Sequence, residues 1–140
     1  MESVAYVLKE LGTEKAWVVH GSDGLDELTT TGATTIAVLE HGHVSHHTVE
    51  PEDAGLKPST LAALKGGTAE ENAEAIRELF KGARNAYRDI VLLNSAAALV
   101  VVDKAETLRD GVALAAAAID TGRAAETLHR CAVPNLVLSS

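Results

Sequence analysis

The chain has 140 residues, the size of a single domain, and its formal net charge of −8 opposes binding to a nucleic-acid backbone, which requires a basic surface. No apolar run is long enough to cross a membrane, and the N-terminus lacks a signal-peptide pattern, so we expect no membrane partner. Cys131 is the only cysteine, which excludes an intrachain disulfide and favours a reducing, cytoplasmic location.

The first third of the chain is predicted to form one helix and three strands. Apolar residues at helical spacing cover residues 2–11, and a glycine follows them. A short apolar run at residues 15–20 predicts a buried strand. Two segments rich in β-branched residues, 34–39 and 44–49, flank Gly42 and predict a hairpin. A hairpin beside a buried strand indicates a mixed sheet.

The rest of the chain is predicted to be helical. Thr68 and Glu71 have the spacing of a capping box, which starts a helix that ends at Gly82. Residues 85–103 are apolar nearly all round, so we expect a helix that is buried on several sides. The other predicted helices cover residues 58–64, 111–122 and 124–130.

These elements predict an α/β fold in one domain, residues 1–140. One buried strand plus a hairpin would form a partial mixed sheet, packed by the carboxy-terminal run of helices. Three strands make a narrow sheet for such a buried helix. We therefore expect the chain to be an incomplete part of a larger α/β domain.

The glycine-punctuated segment after the first predicted strand carries three carboxylates, those of Asp23, Asp26 and Glu27. Ligands of α/β sheets collect beyond the carboxyl ends of strands. Adjacent Asp and Glu side chains offer the hard oxygen ligands that Mg²⁺ accepts together with a substrate phosphate. Alternatively, Asp26 caps a following helix and Glu27 lies in its first turn. The residue types and their spacing fit both interpretations.

Two glycine- or histidine-rich segments are weaker candidates for binding sites. Four histidines of the predicted hairpin could bind zinc. However, successive side chains of a strand point to opposite faces, so His46 and His47 would not face the same metal, and solvated side chains are favoured. The four histidines are His41, His43, His46 and His47. Gly66 and Gly67 could bind an anion through free amides, or they could form only the turn that precedes the helix capped by Thr68.

Polar residues in the apolar helix have two interpretations each. Asn94 and Ser95 could line a ligand cleft or hydrogen-bond a neighbouring backbone. Arg88 and Asp89 could form a charge pair in the first turn or face a partner domain. Near the C-terminus, Cys131 has no evident base beside it, and His129 is expected to point elsewhere, so a nucleophilic cysteine is not favoured.

Several stretches together resemble the carboxy-terminal part of the anthranilate phosphoribosyltransferase family. The likeness runs from about residue 4 to residue 122. Its strongest element is the string His20-Gly21-Ser22-Asp23-Gly24-Leu25-Asp26-Glu27. The other matching stretches are Ala16-Trp17-Val18-Val19, Pro51-Glu52-Asp53-Ala54-Gly55-Leu56, Leu64-Lys65-Gly66-Gly67, Glu71-Asn72-Ala73 and Tyr87-Arg88-Asp89-Ile90-Val91-Leu92-Leu93-Asn94.

The resemblance implies an enzyme of the glycosyltransferase class. In complete form, such an enzyme transfers the phosphoribosyl group of phosphoribosyl pyrophosphate to anthranilate in tryptophan biosynthesis. The resemblance also implies Mg²⁺ as cofactor. The acidic pair that matches Asp26 and Glu27 would bind this ion at the pyrophosphate, and Asp23 would have a supporting role. Family members are usually homodimers, which implies a homo-oligomer. Because strands of the larger domain are missing, we also expect an exposed sheet edge that favours self-association.

The sequence also departs from this family. The amino-terminal helical domain, the Gly-Thr-Gly-Gly-Asp phosphate loop, the Lys-His-Gly-Asn segment and the arginine that contacts anthranilate have no counterpart. Thr68 and Asn85 stand where an acidic residue and a glycine are usual. We therefore expect this chain alone to be inactive, with no catalytic residue of its own. The alternatives are a non-catalytic module that binds Mg²⁺ and diphosphate, or a structural subunit that completes a split enzyme.

Overall fold

A three-stranded sheet lies between one amino-terminal helix and a carboxy-terminal group of helices in the computed structural model, which describes residues 1–132. The strands are β1 (Lys15–Gly21), β2 (Thr34–Glu40) and β3 (His43–Val49). The helices are α1 (Glu2–Glu10), α2 (Leu61–Leu64), α3 (Ala69–Phe80), α4 (Ala86–Val101), α5 (Leu108–Asp120) and α6 (Arg123–Ala132), and a 3₁₀ turn covers Pro51–Ala54. Within residues 1–132, no helix has the length and apolarity to span a membrane.

The α/β class is confirmed, but the sheet of the described chain is antiparallel throughout and not mixed. Its order is β1-β2-β3, with Val19 opposite Ile36 and Ile36 opposite His47. A loop joins β1 to β2 and the chain reverses there, whereas a parallel pair would need a long crossover connection. The prediction of a mixed sheet was therefore wrong.

The central strand β2 is the buried one. Ile36, Ala37 and Leu39 are at most 1% exposed, whereas the apolar residues of β1 are only half-buried. The prediction of a buried first strand was wrong because β1 lies at an edge of the sheet. The hairpin prediction is confirmed: His41 and Gly42 both have positive φ, as a tight two-residue turn between twisted strands requires.

The two faces of β2 pack against different helices. Side chains alternate along a strand, so Ile36 faces one way and Ala37 the other. Ile36 belongs to a core cluster with Leu28, Leu93 and the neighbouring apolar residues of α4 and the 3₁₀ turn. Helix α1 covers the opposite face, where Ala5 is fully buried.

Helix α4 is buried on several sides, as its uniform apolarity predicted. Leu93 contributes to the cluster on the sheet, and Leu92 belongs to a second cluster with residues of α3 and α5, including Leu79 and Ile119. Consecutive positions of α4 therefore face two different layers. This places α4 at the centre of the described structure.

Side-chain caps define where the longer helices begin. The capping box is confirmed: Thr68 accepts a bond from the Glu71 amide, and the Glu71 carboxylate accepts one from the Thr68 amide. Asn85 caps α4 with a single bond, which its side-chain oxygen accepts from the Arg88 amide. Thr107 caps α5, so this helix begins at Leu108, earlier than the sequence pattern indicated.

Candidate metal site

The loop between β1 and β2, residues 22–33, contains neither helix nor strand. The Ser22 amide donates to the Ala33 carbonyl and closes the loop at its base, and the Gly21 amide donates to the Leu25 carbonyl within it. No helix begins at Asp26 in the described chain. The alternative in which Asp26 caps a helix and Glu27 lies in its first turn is therefore wrong.

Asp23 points into this loop. One carboxylate oxygen accepts from the Leu25 amide at 3.1 Å, and the other accepts from the hydroxyls of Thr29 and Thr31 at 2.6 and 2.7 Å. Burial acts to raise the pKa of Asp23, but the hydrogen bonds from Thr29, Thr31 and Leu25 outweigh it and leave the pKa below its ordinary value. Asp23 thus organises the loop as an ionised internal acceptor.

Asp26 and Glu27 differ from Asp23 because they are exposed. Neither side chain makes a hydrogen bond or ion pair to any residue in the described part of the chain. Partial burial, followed by the negative charges of Asp26 and Asp23, raises the pKa of Glu27 above its ordinary value. A cation placed here would relieve this repulsion. The loop therefore holds one internal carboxylate and two that are available to a ligand.

Glu27 also lines a cavity of about 510 Å³. The wall opposite the loop comes from α2 and the segment after it, and from the first turns of α4. Its lining residues are Leu25, Glu27, Leu61, Ala62, Leu64, Lys65, Gly66, Tyr87 and Ile90. Reasoning from the residues alone did not identify Lys65 or Tyr87 as parts of this cavity. Both lie in stretches that carry the family resemblance, which was the available signal.

The amides of Gly67 and Thr68 are occupied by local contacts. The Gly67 amide donates to the side-chain oxygen of Asn72 at 2.9 Å, and the Thr68 amide donates to Glu71 at 2.7 Å. Asn72 also donates back to the Gly67 carbonyl at 3.2 Å. The interpretation as a turn that precedes a capped helix is confirmed, and the amides of Gly67 and Thr68 are not free to bind an anion.

Two polar residues of α4, Asn94 and Arg88, contact other segments of the described structure. Asn94 hydrogen-bonds the backbone of Leu28, which confirms the backbone interpretation for this residue. Ser95 lines a separate apolar groove between α3, α4, α5 and α6. The guanidinium of Arg88 is buried and contacts the Asp120 carboxylate at 2.8 Å, so Arg88 joins α4 to α5 and does not pair with Asp89.

The four hairpin histidines are all exposed, as expected for solvated side chains. His46 and His47 lie opposite Ala37 and Ile36, on different faces of the sheet. Among residues 1–132, no three His, Cys, Asp or Glu side chains are grouped so that they could hold a metal. A metal at Asp26 and Glu27 would therefore take its remaining ligands from water or from a bound phosphate.

Cys131 and His129 both lie in helix α6. Cys131 is a free, exposed cysteine at the end of α6, and within residues 1–132 the exposed His129 makes no hydrogen bond to it.

Comparison with known proteins gives consistent matches. Residues 1–125 match the model of the glycosyl transferase family, a/b domain. The anthranilate phosphoribosyltransferase of Chelativorans sp. (strain BNC1) is 55% identical over 130 residues, which are 93% of this chain and 38% of that protein. The enzyme of the same name from Azospirillum brasilense is 56% identical over 136 residues, 96% of this chain and 38% of that protein.

Solved structures show the same similarity. Anthranilate phosphoribosyltransferase from Thermus thermophilus superposes with a TM-score of 0.81 at 37% identity, covering 90% of this chain and 37% of that one. The Saccharomyces cerevisiae enzyme in complex with PRPP and Mg has a TM-score of 0.75 at 25% identity, covering 84% of this chain and 34% of that one. This chain thus spans well under half the length of the proteins it resembles.

Proposed function

Because the chain belongs to the glycosyl transferase family, a/b domain, and its relatives are anthranilate phosphoribosyltransferases, we propose that it forms one wall of the substrate cleft of such an enzyme. In the complete enzyme, the phosphoribosyl group passes from phosphoribosyl pyrophosphate to the amine of anthranilate, in tryptophan biosynthesis. Asp26 and Glu27 bind the Mg²⁺ that accompanies the diphosphate. The observation that carries this proposal is the pair of exposed carboxylates beside the cavity, neither of which has a hydrogen-bond or ion-pair partner among residues 1–132.

The donor set of this pair suits Mg²⁺. Both side chains supply hard oxygen ligands, and Mg²⁺ commonly binds one or two carboxylates while it keeps waters and substrate phosphates. Partial burial, followed by repulsion from Asp26 and Asp23, raises the pKa of Glu27, so a bound cation would offset an existing unfavourable charge arrangement. When bound, Mg²⁺ stabilises the negative charge that develops on the leaving diphosphate.

Lys65 supplies positive charge to the same cavity. It is the cationic member of the lining, which otherwise consists mainly of apolar side chains and Glu27. A lysine ammonium attracts phosphate as a compact charge. We assign Lys65 to the diphosphate side of the cleft, where it complements the acidic pair.

We further propose that this 140-residue chain does not catalyse the transfer by itself. The phosphate loop and the anthranilate-contacting arginine of the family have no counterpart in it, so the chain contributes one side of the cleft. Turnover of phosphoribosyl pyrophosphate with anthranilate by the purified chain would contradict this. A structural subunit of a split enzyme is the alternative, and co-purification with a chain that carries the Gly-Thr-Gly-Gly-Asp loop would identify it.

The metal proposal is tested by calorimetric titration of the chain with Mg²⁺ and inorganic pyrophosphate. We expect saturable binding that weakens at least about tenfold in Asp26→Asn and in Glu27→Gln, as is usual when a metal site loses a ligand or its support. Glu10→Gln, which changes an exposed carboxylate of α1, is the matched control and should bind as the wild type does. Equal affinity in all four proteins would refute the assignment.

Self-association and a cytoplasmic location are also part of the proposal. Within the described residues, both outer strands of the three-stranded sheet have a free edge, and α1 exposes Val4, Val7 and the adjacent Leu11 to solvent. Unpaired edges and exposed apolar side chains favour association between copies. A monomeric mass by light scattering at high protein concentration would count against it.

A further inference from the structure

One polar side chain of the central helix connects that helix to the acidic loop. The Asn94 side-chain oxygen accepts from the Leu28 amide at 2.9 Å, and its nitrogen donates to the Leu28 carbonyl at 2.8 Å. The same nitrogen donates to the Ile90 carbonyl at 3.1 Å, one turn earlier in α4. Asn94 therefore bonds both backbone groups of a residue 66 positions away in the sequence.

Leu28 directly follows the acidic pair and is itself fixed in the core. Its side chain is 2% exposed and packs in the cluster that contains Ile36 and Leu93. Its backbone groups lie where water cannot easily replace a lost partner, so they depend on Asn94 for their hydrogen bonds. The chain is thereby held at the position immediately after Glu27.

The position before the pair is held separately. Asp23 accepts from the Leu25 amide and from two threonine hydroxyls farther along the loop. Only Asp26 and Glu27 lie between these two attachment points, and both are exposed. A loop gives less precise placement of ligands than a helix or strand does, unless neighbouring groups fix it. The two attachments provide that support.

The attachment at Leu28 also joins the loop to a helix that lines the cavity. Tyr87 and Ile90, on the same helix as Asn94, line the cavity together with Glu27. Because Asn94 bonds both Leu28 and Ile90, it ties the loop side of the cavity to the helix side through one amide group. A change at Asn94 would therefore shift the acidic pair relative to the opposite wall.

We propose that Asn94 is the positioning residue of the Asp26–Glu27 pair, which holds these carboxylates at the distance from α4 that the Mg²⁺-diphosphate site requires. This inference rests on the proposed function of the pair as metal ligands. Asn94 itself touches neither metal nor substrate. It acts through the backbone of Leu28.

The test compares Asn94→Ala and Asn94→Asp with the wild-type chain in two measurements. The first is Mg²⁺-pyrophosphate affinity by calorimetry, and the second is amide hydrogen exchange at Leu28 relative to the amides of β2. Asn94→Ala should lose about tenfold or more in affinity, the range typical of residues that support metal ligands, and should expose the Leu28 amide. Asn94→Asp keeps an acceptor for the Leu28 amide but loses the donor to its carbonyl, so Leu28 should stay more protected than in Asn94→Ala.

Leu92→Ala is the control for a simple loss of stability. Leu92 is buried in the cluster between α3, α4 and α5 and has no contact with the loop among its hydrogen bonds or cluster members. This variant should unfold more easily but keep wild-type affinity and the wild-type ratio of exchange at Leu28 to exchange in β2. A loss of affinity in Leu92→Ala as large as that in Asn94→Ala would show a general effect of stability and overturn the inference.

The two proposals fail in distinguishable ways. If the wild-type chain binds no Mg²⁺-pyrophosphate, the metal assignment of Asp26 and Glu27 fails, and exchange at Leu28 still decides whether Asn94 holds the loop. If the wild type binds and Asn94→Ala keeps both its affinity and its Leu28 protection, the inference about Asn94 is refuted while the metal assignment stands.

Discussion

Gly111 of α5 lies directly against Ala96 of α4. A methyl group added at Gly111 would stand 2.8 Å from both the Cα and the Cβ of Ala96, and 2.9 Å from its carbonyl oxygen. These are backbone atoms and a β-carbon, which cannot move without moving α4 itself. The absence of a side chain at Gly111 therefore sets the close approach of α5 to the helix that carries Asn94.

This contact predicts the effect of a small substitution. Gly111→Ala should destabilise the protein by about 1–3 kcal/mol despite the better helix propensity of alanine, because the added methyl group overpacks the α4–α5 interface. Urea unfolding measures the change. Ala113→Val, which adds volume on the exposed side of α5, is the control and should cost less than about 1 kcal/mol. A Gly111→Ala variant as stable as the wild type would show that the helices can separate at no cost.

The ionisation of Asp23 predicts a pH dependence of stability. The folded-state pKa lies below the ordinary value of 3.8, because the hydrogen bonds from Thr29, Thr31 and Leu25 outweigh burial. Its contribution is therefore fully present above the ordinary pKa and is lost as the pH falls through the folded-state value. Asp23→Asn should be less stable than the wild type at neutral pH, and the difference should shrink below about pH 4.

Unfolding free energies from urea titrations at several pH values between about 7 and 3 test this expectation. Glu10→Gln, at an exposed position of α1, serves as the comparison and should follow the wild-type curve. A wild-type advantage over Asp23→Asn that grows towards acid would contradict the lowered pKa of Asp23.

Ionisation of Glu27 should destabilise the folded protein, whereas ionisation of Asp23 stabilises it. Its folded-state pKa is raised by burial and by the charges of Asp26 and Asp23, so ionised Glu27 disfavours the folded state above that pKa. Glu27→Gln should therefore be slightly more stable than the wild type at neutral pH without Mg²⁺. The gain should stay below about 1 kcal/mol, because the side chain is exposed and solvent screens the repulsion.

When Mg²⁺ and pyrophosphate are added, the wild type should become more stable than Glu27→Gln. Ligand binding stabilises the folded state more when the affinity is higher, and Glu27→Gln is expected to bind weakly. Thermal unfolding of both proteins with and without the ligands measures this. A wild type that is already the more stable protein without Mg²⁺ at neutral pH would contradict the repulsion at Glu27.

Much of the secondary structure was predictable because its signals are local. The capping box of Thr68 and Glu71 marked the start of α3, and Gly42 marked the hairpin turn. These patterns depend on hydrogen bonds and backbone angles within a few residues, so they do not depend on how the segment packs in the tertiary structure. The same holds for Asp26 and Glu27, because two residues that are adjacent in the sequence are also close together in any fold.

Tertiary structure decided which partner each polar group meets. Three neighbouring carboxylates looked alike in the sequence, yet the fold turns Asp23 inward to two threonine hydroxyls and leaves Asp26 and Glu27 exposed. Arg88 pairs with Asp120 of another helix and not with its neighbour Asp89. The spacing of apolar residues predicts which face of a helix or strand is buried, but it does not predict which distant residues that face contacts.

The sequence by itself determined the helices, the strands and the acidic pair of this protein, because hydrophobic spacing, caps and turn residues act over a few positions. Only the tertiary structure decided that β2 is the central strand, that the sheet is antiparallel, and that Asn94 holds the backbone of Leu28. These features arise where segments far apart in the chain pack together. Burial then favours a hydrogen-bond partner for each polar group, whichever segment supplies it.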